Sequence, residues 1–233
     1  GVSERSLAAA RVAVGPAVVR LMTQLSAACQ SAGDWTRALA LAEEAVALAR
    51  GGARAAALGQ LGTIRFARGD AAGAGASFAE GESAAREAGV PALEARMIVQ
   101  RGNLRSSLGD FDGALAAYAD AEALARRLGD RLTLAAGIGN RGIALVHRGD
   151  LEGGLRAYDE ALAVARELRD PILVARHLCN RGTALVRRGD LDAALAALAE
   201  AESVARELGD RFLLAGAVGN RGIALHRRGD LEG

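Results

Sequence analysis

The sequence predicts an all-α chain that stacks helix-turn-helix hairpins into a solenoid, and three observations carry the prediction. A Gly-Asp pair recurs at Gly33-Asp34, Gly69-Asp70, Gly109-Asp110, Gly149-Asp150, Gly189-Asp190 and Gly229-Asp230, in steps of 36, 40, 40, 40 and 40 residues. A second glycine precedes five of these pairs by seven residues, at Gly62, Gly102, Gly142, Gly182 and Gly222, with the small Ser26 in the first unit. Finally, the string from Gly139 to Leu145 returns unchanged from Gly219 to Leu225. A fixed period of this size marks one supersecondary unit, which buries its apolar face only against its neighbours.

Composition agrees. Hydrophobic residues make up 51% of the 233, aromatics only 3%, and there are three prolines. An Ala-, Leu- and Val-rich core with few aromatics suits close-packed helices better than strands. The net charge of +1 gives no overall pull toward nucleic acid or an anionic membrane, so neither is expected as a partner. Cys29 and Cys179 fall in distant repeats, which implies no disulfide and fits a reducing, cytoplasmic setting. The longest uncharged run, Leu21 to Gly33, is too short and too polar to span a bilayer.

Taken in order, residues 1–15 are expected to form one helix, from about Ser3 to Val14, ended by Gly15-Pro16 and standing as half of a preceding hairpin. The repeats then run over 16–52, 53–90, 91–130, 131–170, 171–210 and a truncated 211–233. The fourth shows the logic of each. Gly129 takes the left-handed turn that ends a helix, and Asp130 caps the next one. The first helix runs to Arg148, with Leu134, Ile138, Gly142 and Leu145 on one face. Gly149-Asp150 then breaks the chain into a second helix that buries Leu151, Leu155, Tyr158, Leu162 and Ala165. Asp170-Pro171 and Val90-Pro91 open other first helices with a first-turn proline. The glycine at Gly142 and its equivalents lets the two helices of a hairpin approach closely. Trp35, at the start of a second helix, is expected in the core.

These residues resemble the tetratricopeptide repeat (TPR). In the fourth unit Ile138, Arg141-Gly142 and Leu145 occupy that family's first-helix places, and Gly154 and Tyr158 its second-helix places. Ala114 and Tyr118, Ala74 and Phe78, and Ala194 and Leu198 do so in other units. The resemblance covers Pro16 to Gly233, and the 40-residue period is similar to a subclass found in cell-polarity adaptors, kinesin light chains and bacterial signalling ATPases. Arg101, Arg141, Arg181 and Arg221 depart from the family by standing where Leu is usual. The resemblance implies a TPR-like right-handed α-solenoid whose first helices line a concave groove. It also implies a protein- or peptide-binding scaffold, the interaction or sensor arm of a larger bacterial regulatory protein. A small-peptide signal receptor and a self-assembly module, stacking through uncapped array ends, are the competing readings.

The groove residues it implies are the amides Gln60, Gln100, Asn140, Asn180 and Asn220, which carry donors and acceptors for an extended peptide backbone. Beside them stand Arg101, Arg141, Arg181 and Arg221, with His147, Arg187 and Arg227 near the ends of the first helices. First helices of the later repeats hold arginines and no acid, so an acidic segment or a terminal carboxylate is the expected partner chemistry. No catalytic, cofactor or metal constellation is expected. His147, His177 and His226 lack ligand spacing, and the Gly137-x-Gly139-x-x-Gly142 string sits inside a helix with no strand before it.

Overall fold

The computed structural model describes the backbone of residues 4–229 and the side chains of residues 15–229. The described residues form eleven α-helices and no strand: α1 Glu4–Ser31, α2 Trp35–Leu48, α3 Gly51–Ala67, α4 Ala71–Glu87, α5 Pro91–Ser107, α6 Phe111–Leu128, α7 Arg131–Arg148, α8 Leu151–Glu167, α9 Pro171–Arg188, α10 Leu191–Leu208 and α11 Arg211–Arg228. They divide into two compact units, one ending at Leu108 and one starting at Gly109.

Each unit is a TPR-like stack of antiparallel hairpins. In the first, α1 packs on α2, α3 on α4, and α1 and α5 both touch α3. The second repeats the scheme: α7 packs on α8, α9 on α10, and α9 touches both α7 and α11. First helices therefore touch first helices, whereas α2, α4, α8 and α10 contact only the first helices on either side of them. That asymmetry places the first helices on the inner side of the stack in each unit.

The turns work as their residues dictate. Gly149 adopts φ +100°, a left-handed conformation that only glycine enters without strain. The Asp150 carboxylate then accepts the Gly153 N–H at 2.8 Å. Asp34, Asp70, Asp110, Asp130 and Asp170 cap their helices in the same way, at 2.8–3.1 Å. Asp190 makes no such bond and meets Arg188 instead, at 2.9 Å. Two turns break the glycine rule, and in the first of them α2 ends on the extended Ala49 and Arg50. In the second, Arg169 takes the left-handed φ of +53° where Gly89, Gly129 and Gly209 stand in other repeats.

Within a hairpin the inner glycine acts as a socket. A Cβ on Gly142 would lie 2.7 Å from Tyr158 Cε1, one on Gly182 2.6 Å from Leu198 Cγ, and one on Gly62 2.5 Å from Phe78 Cε1. Between hairpins a second socket recurs. Gly59 receives Met97 and Gly139 receives His177, each pair on neighbouring first helices. Leu134, Ile138, Leu155, Tyr158, Leu162 and Ala165 are buried as their periodicity requires, while Leu145 and Leu151 are half-buried.

Two expectations need correction. α1 does not stop at Gly15-Pro16 but continues through Pro16 to Ser31. A proline inside a helix forfeits one backbone hydrogen bond. The downstream half is nonetheless fixed by packing, with Val19 buried and the Ser26 hydroxyl donating to the Ala38 carbonyl at 2.7 Å. Trp35 is also not a core residue: it is 38% exposed, because the buried stripe of α2 is Ala38, Ala42 and Ala45.

Candidate binding surface

The amides occupy one place in successive first helices, and all five are half-buried. In the first unit Gln60 donates from Nε2 to Gln30 Oε1 at 3.0 Å, and Gln100 Oε1 accepts from Asn103 Nδ2 at 3.0 Å. In the second unit Asn140 is engaged, whereas Asn180 and Asn220 make no hydrogen bond through their side chains among the described residues. These two stand one repeat apart on the touching helices α9 and α11. The sequence reading missed a further member, the exposed Gln24, which precedes Ser26 by two residues as Gln60 precedes Gly62.

The arginines behave differently. Each holds a carboxylate on the preceding second helix. Arg141 Nε donates to Glu122 at 2.8 Å and Arg221 Nη1 to Glu202 at 2.9 Å, and Arg101 lies 3.1 Å from Glu82. All three carboxylates stand nineteen residues before their arginine, a spacing visible in the sequence. A second arginine, four residues after the glutamate, completes the clasp: Arg86 on Glu82, Arg126 on Glu122 and Arg206 on Glu202. Between α6, α7 and α8 this closes into a ring, because Glu160 accepts from both Arg126 at 3.0 Å and Arg141 at 2.6 Å. Burial opposes the Arg141 charge, but the bonds to Glu122 and Glu160 outweigh it and raise the pKa above the ordinary arginine value. Glu202 is almost fully buried, yet Arg221 and Arg206 hold its carboxyl below the usual range.

Arg181 is the exception in this set. Leu162 stands where the glutamate would be, and Arg181 Nε donates instead to the exposed Asp159 at 2.7 Å.

The residues near the ends of the first helices tie repeats together. Arg187 and Arg227 donate to the Val146 and Val186 carbonyls, in the last turn of the preceding first helix, at 3.4 and 3.1 Å. His147 is exposed and stacks on Phe111, with ring centroids 5.8 Å apart. Arg148, Arg188 and Arg228 reach Asp112, Glu152 and Asp192 in the first turn of the preceding second helix. Arg141, Arg148, Arg181, Arg188, Arg221 and Arg228 of the first helices are thus each matched by an acid on a second helix.

Residues 133–207 match the family model described as Tetratricopeptide repeat, and residues 20–66 and 95–138 match one described as Anaphase-promoting complex subunit 5. No curated protein sequence matches the chain. Among solved structures it is similar to BtubC (BKLC) from P. vanneervenii, with 20% identity and a TM-score of 0.73, covering 88% of this chain and 87% of that one. It is similar also to a Rap protein complexed with Competence and Sporulation Factor, with 14% identity, a TM-score of 0.77 and coverage of 92% and 64%. A third is the Signal Transduction ATPase with Numerous Domains protein with a tetratricopeptide repeat sensor from Pyrococcus horikoshii, at 13% identity and TM-score 0.74; the chain is covered over 88% and spans 32% of that protein. At these identities the likeness is one of fold. No helix among the described residues is long and apolar enough to cross a membrane.

Proposed function

We propose that the chain is a non-catalytic repeat scaffold of the cytoplasm that binds an extended peptide segment along the inner helices of each unit, as the interaction or sensor arm of a larger bacterial regulatory protein. One observation carries the reading. Asn180 and Asn220 keep donor and acceptor groups without a partner, half-exposed, on neighbouring first helices. Packed helix axes lie about 8–10 Å apart and an extended chain advances about 3.3 Å per residue, so a peptide crossing them meets one amide about every three residues. Amides that bond the backbone grip a peptide without reading its side chains. The likeness to the Rap conjugation gene regulator of the plasmid pLS20, solved in complex with the Phr* peptide, favours a peptide as the occupant.

An acidic partner would compete with acids already in place on the second helices. Arg101, Arg141, Arg181 and Arg221 already hold carboxylates, so an acidic ligand gains from them only by displacing those partners.

The test is selection from a random decapeptide library followed by titration of the selected peptides. Asn180→Ala combined with Asn220→Ala should weaken binding about tenfold or more, as expected for two lost amide contacts. Unchanged affinity would contradict the reading, and a steep salt dependence would restore the electrostatic part. Self-association has one observation in its favour, the apolar surface of α11, where Phe212 is 93% exposed. Sedimentation independent of concentration would set it aside.

A further inference from the structure

The place where the clasp fails is also a cavity. Glu82, Glu122 and Glu202 each stand between two arginines, one four and one nineteen residues further on. At Leu162 both arginines are retained, as Arg166 and Arg181, but the carboxylate between them is replaced by an isobutyl group. A cavity of about 350 Å³ opens there between α8, α9 and α10. Its apolar lining is Leu162, Leu178, Ala193, Ala196 and Ala197, and both arginines stand at it with Asp159 and Glu200. Each arginine falls back on one surface acid: Arg181 on Asp159 at 2.7 Å, and Arg166 on Glu200 at 2.9 Å. Those acids are 59% and 50% exposed, so releasing them to water costs little. No residue of the amide rows lines this space.

We propose that this cavity is a second binding site, for a carboxylate carried on a short branched apolar group. The carboxylate stands between Arg166 and Arg181, in the position that Glu122 and Glu202 occupy in the adjoining repeats. The apolar group lies over Leu162, Leu178 and the three alanines. Guanidinium is suited to this task, since its donors form a planar fork that matches a carboxylate. The volume lies within the ordinary range of small-ligand pockets. Two sources share the chemistry, a chain ending in leucine and a free branched-chain acid, and the probes below separate them. The proposal is independent of the amide rows, and loss of peptide binding there leaves it standing.

The experiment uses the whole chain and follows the Leu178 methyl resonances during titration. The probes are 4-methylpentanoate and an acetylated tetrapeptide ending in leucine, each beside its C-terminal amide. Saturable shifts are expected with at least one acid, at least tenfold weaker with the matching amide. Shifts from the peptide alone identify a chain terminus, and from the free acid alone a small molecule. Leu162→Glu recreates the arrangement at Glu122, so it should keep the helical circular dichroism and thermal midpoint while abolishing the shifts. Arg181→Gln should weaken binding about tenfold without filling the cavity. The proposal is overturned by the absence of saturable shifts with both acids, by equal binding of acid and amide, or by unchanged binding in both variants.

Discussion

Residues Gly139–Leu145 of α7 and Gly219–Leu225 of α11 are the same seven residues in the same order, and they stand in different surroundings. In α7 both glycines are closed upon, Gly139 by His177 of the next first helix and Gly142 by Tyr158 of its own hairpin. In α11 a Cβ on Gly219 or Gly222 would meet nothing within 4 Å among the described residues, and Ile223 is 51% exposed. Ile138, the residue just before the α7 string, is fully buried, while its counterpart Val218 is 46% exposed. Local sequence makes the helix in both places. Burial comes from the adjoining brick, as a quasi-one-dimensional array requires.

The comparison can be broken most forcefully at the inner glycine. Gly142→Leu drives a side chain into the Tyr158 ring and should destabilise the second unit by about 3 kcal/mol in urea titrations, the upper part of the overpacking range. In the 233-residue chain, where the described residues leave Gly222 open, Gly222→Leu should not. Equal losses at the two sites would mean that glycine serves the helix rather than its neighbour.

The next largest effect belongs to the knob in the Gly139 socket. His177 is only 3% exposed, and neither ring nitrogen has a partner among the described residues. Burial pushes its pKa from 6.5 down to about 4; Arg176 lowers it further and Asp170 opposes. Because folding favours the neutral ring, the unfolded chain binds more protons between these values, and stability falls as pH drops below 6.5. The two values imply a loss of about 2 kcal/mol at pH 5 relative to pH 7. His177→Met copies the Met97–Gly59 pair and should remove that part of the pH dependence. Persistence of the full acid loss in this variant would exonerate His177.

Smaller effects sharpen the picture. Both α7 and α11 are entered through a left-handed glycine, Gly129 or Gly209, but α9 between them is entered through Arg169 at φ +53°. Arg169→Gly should therefore raise the thermal midpoint, by about 1 kcal/mol of stability. In the 233-residue chain Gly222→Ala, open among the described residues, should gain somewhat less, roughly 0.8 kcal/mol from helix propensity alone, whereas Gly142→Ala should lose.

Much of this architecture could be read directly. The Gly-Asp punctuation located the turns, because left-handed glycine and aspartate capping are local chemistry. Glycine at 142 announced a close approach, since nothing else excuses it inside a helix. Pro16 misled for a physical reason: one lost hydrogen bond weighs less than the packing that α2 and α3 supply to the helix after it. The arginines were recognised as unusual, but their partners were not, although Glu82, Glu122 and Glu202 repeat at a constant spacing. That signal lies between units rather than within one, and it becomes informative at Leu162, where it stops. Arg169 carried no sequence sign of its left-handed backbone beyond its place where glycine stands in other repeats.

The central claim, that identical bricks acquire their character from what is stacked against them, is tested most directly by native-state hydrogen exchange of the backbone amides of Gly139–Leu145 against those of Gly219–Leu225. The account predicts slower exchange in α7 by a factor on the order of a hundred or more, despite identical sequence and helical bonding. Equal protection of the two segments would contradict it.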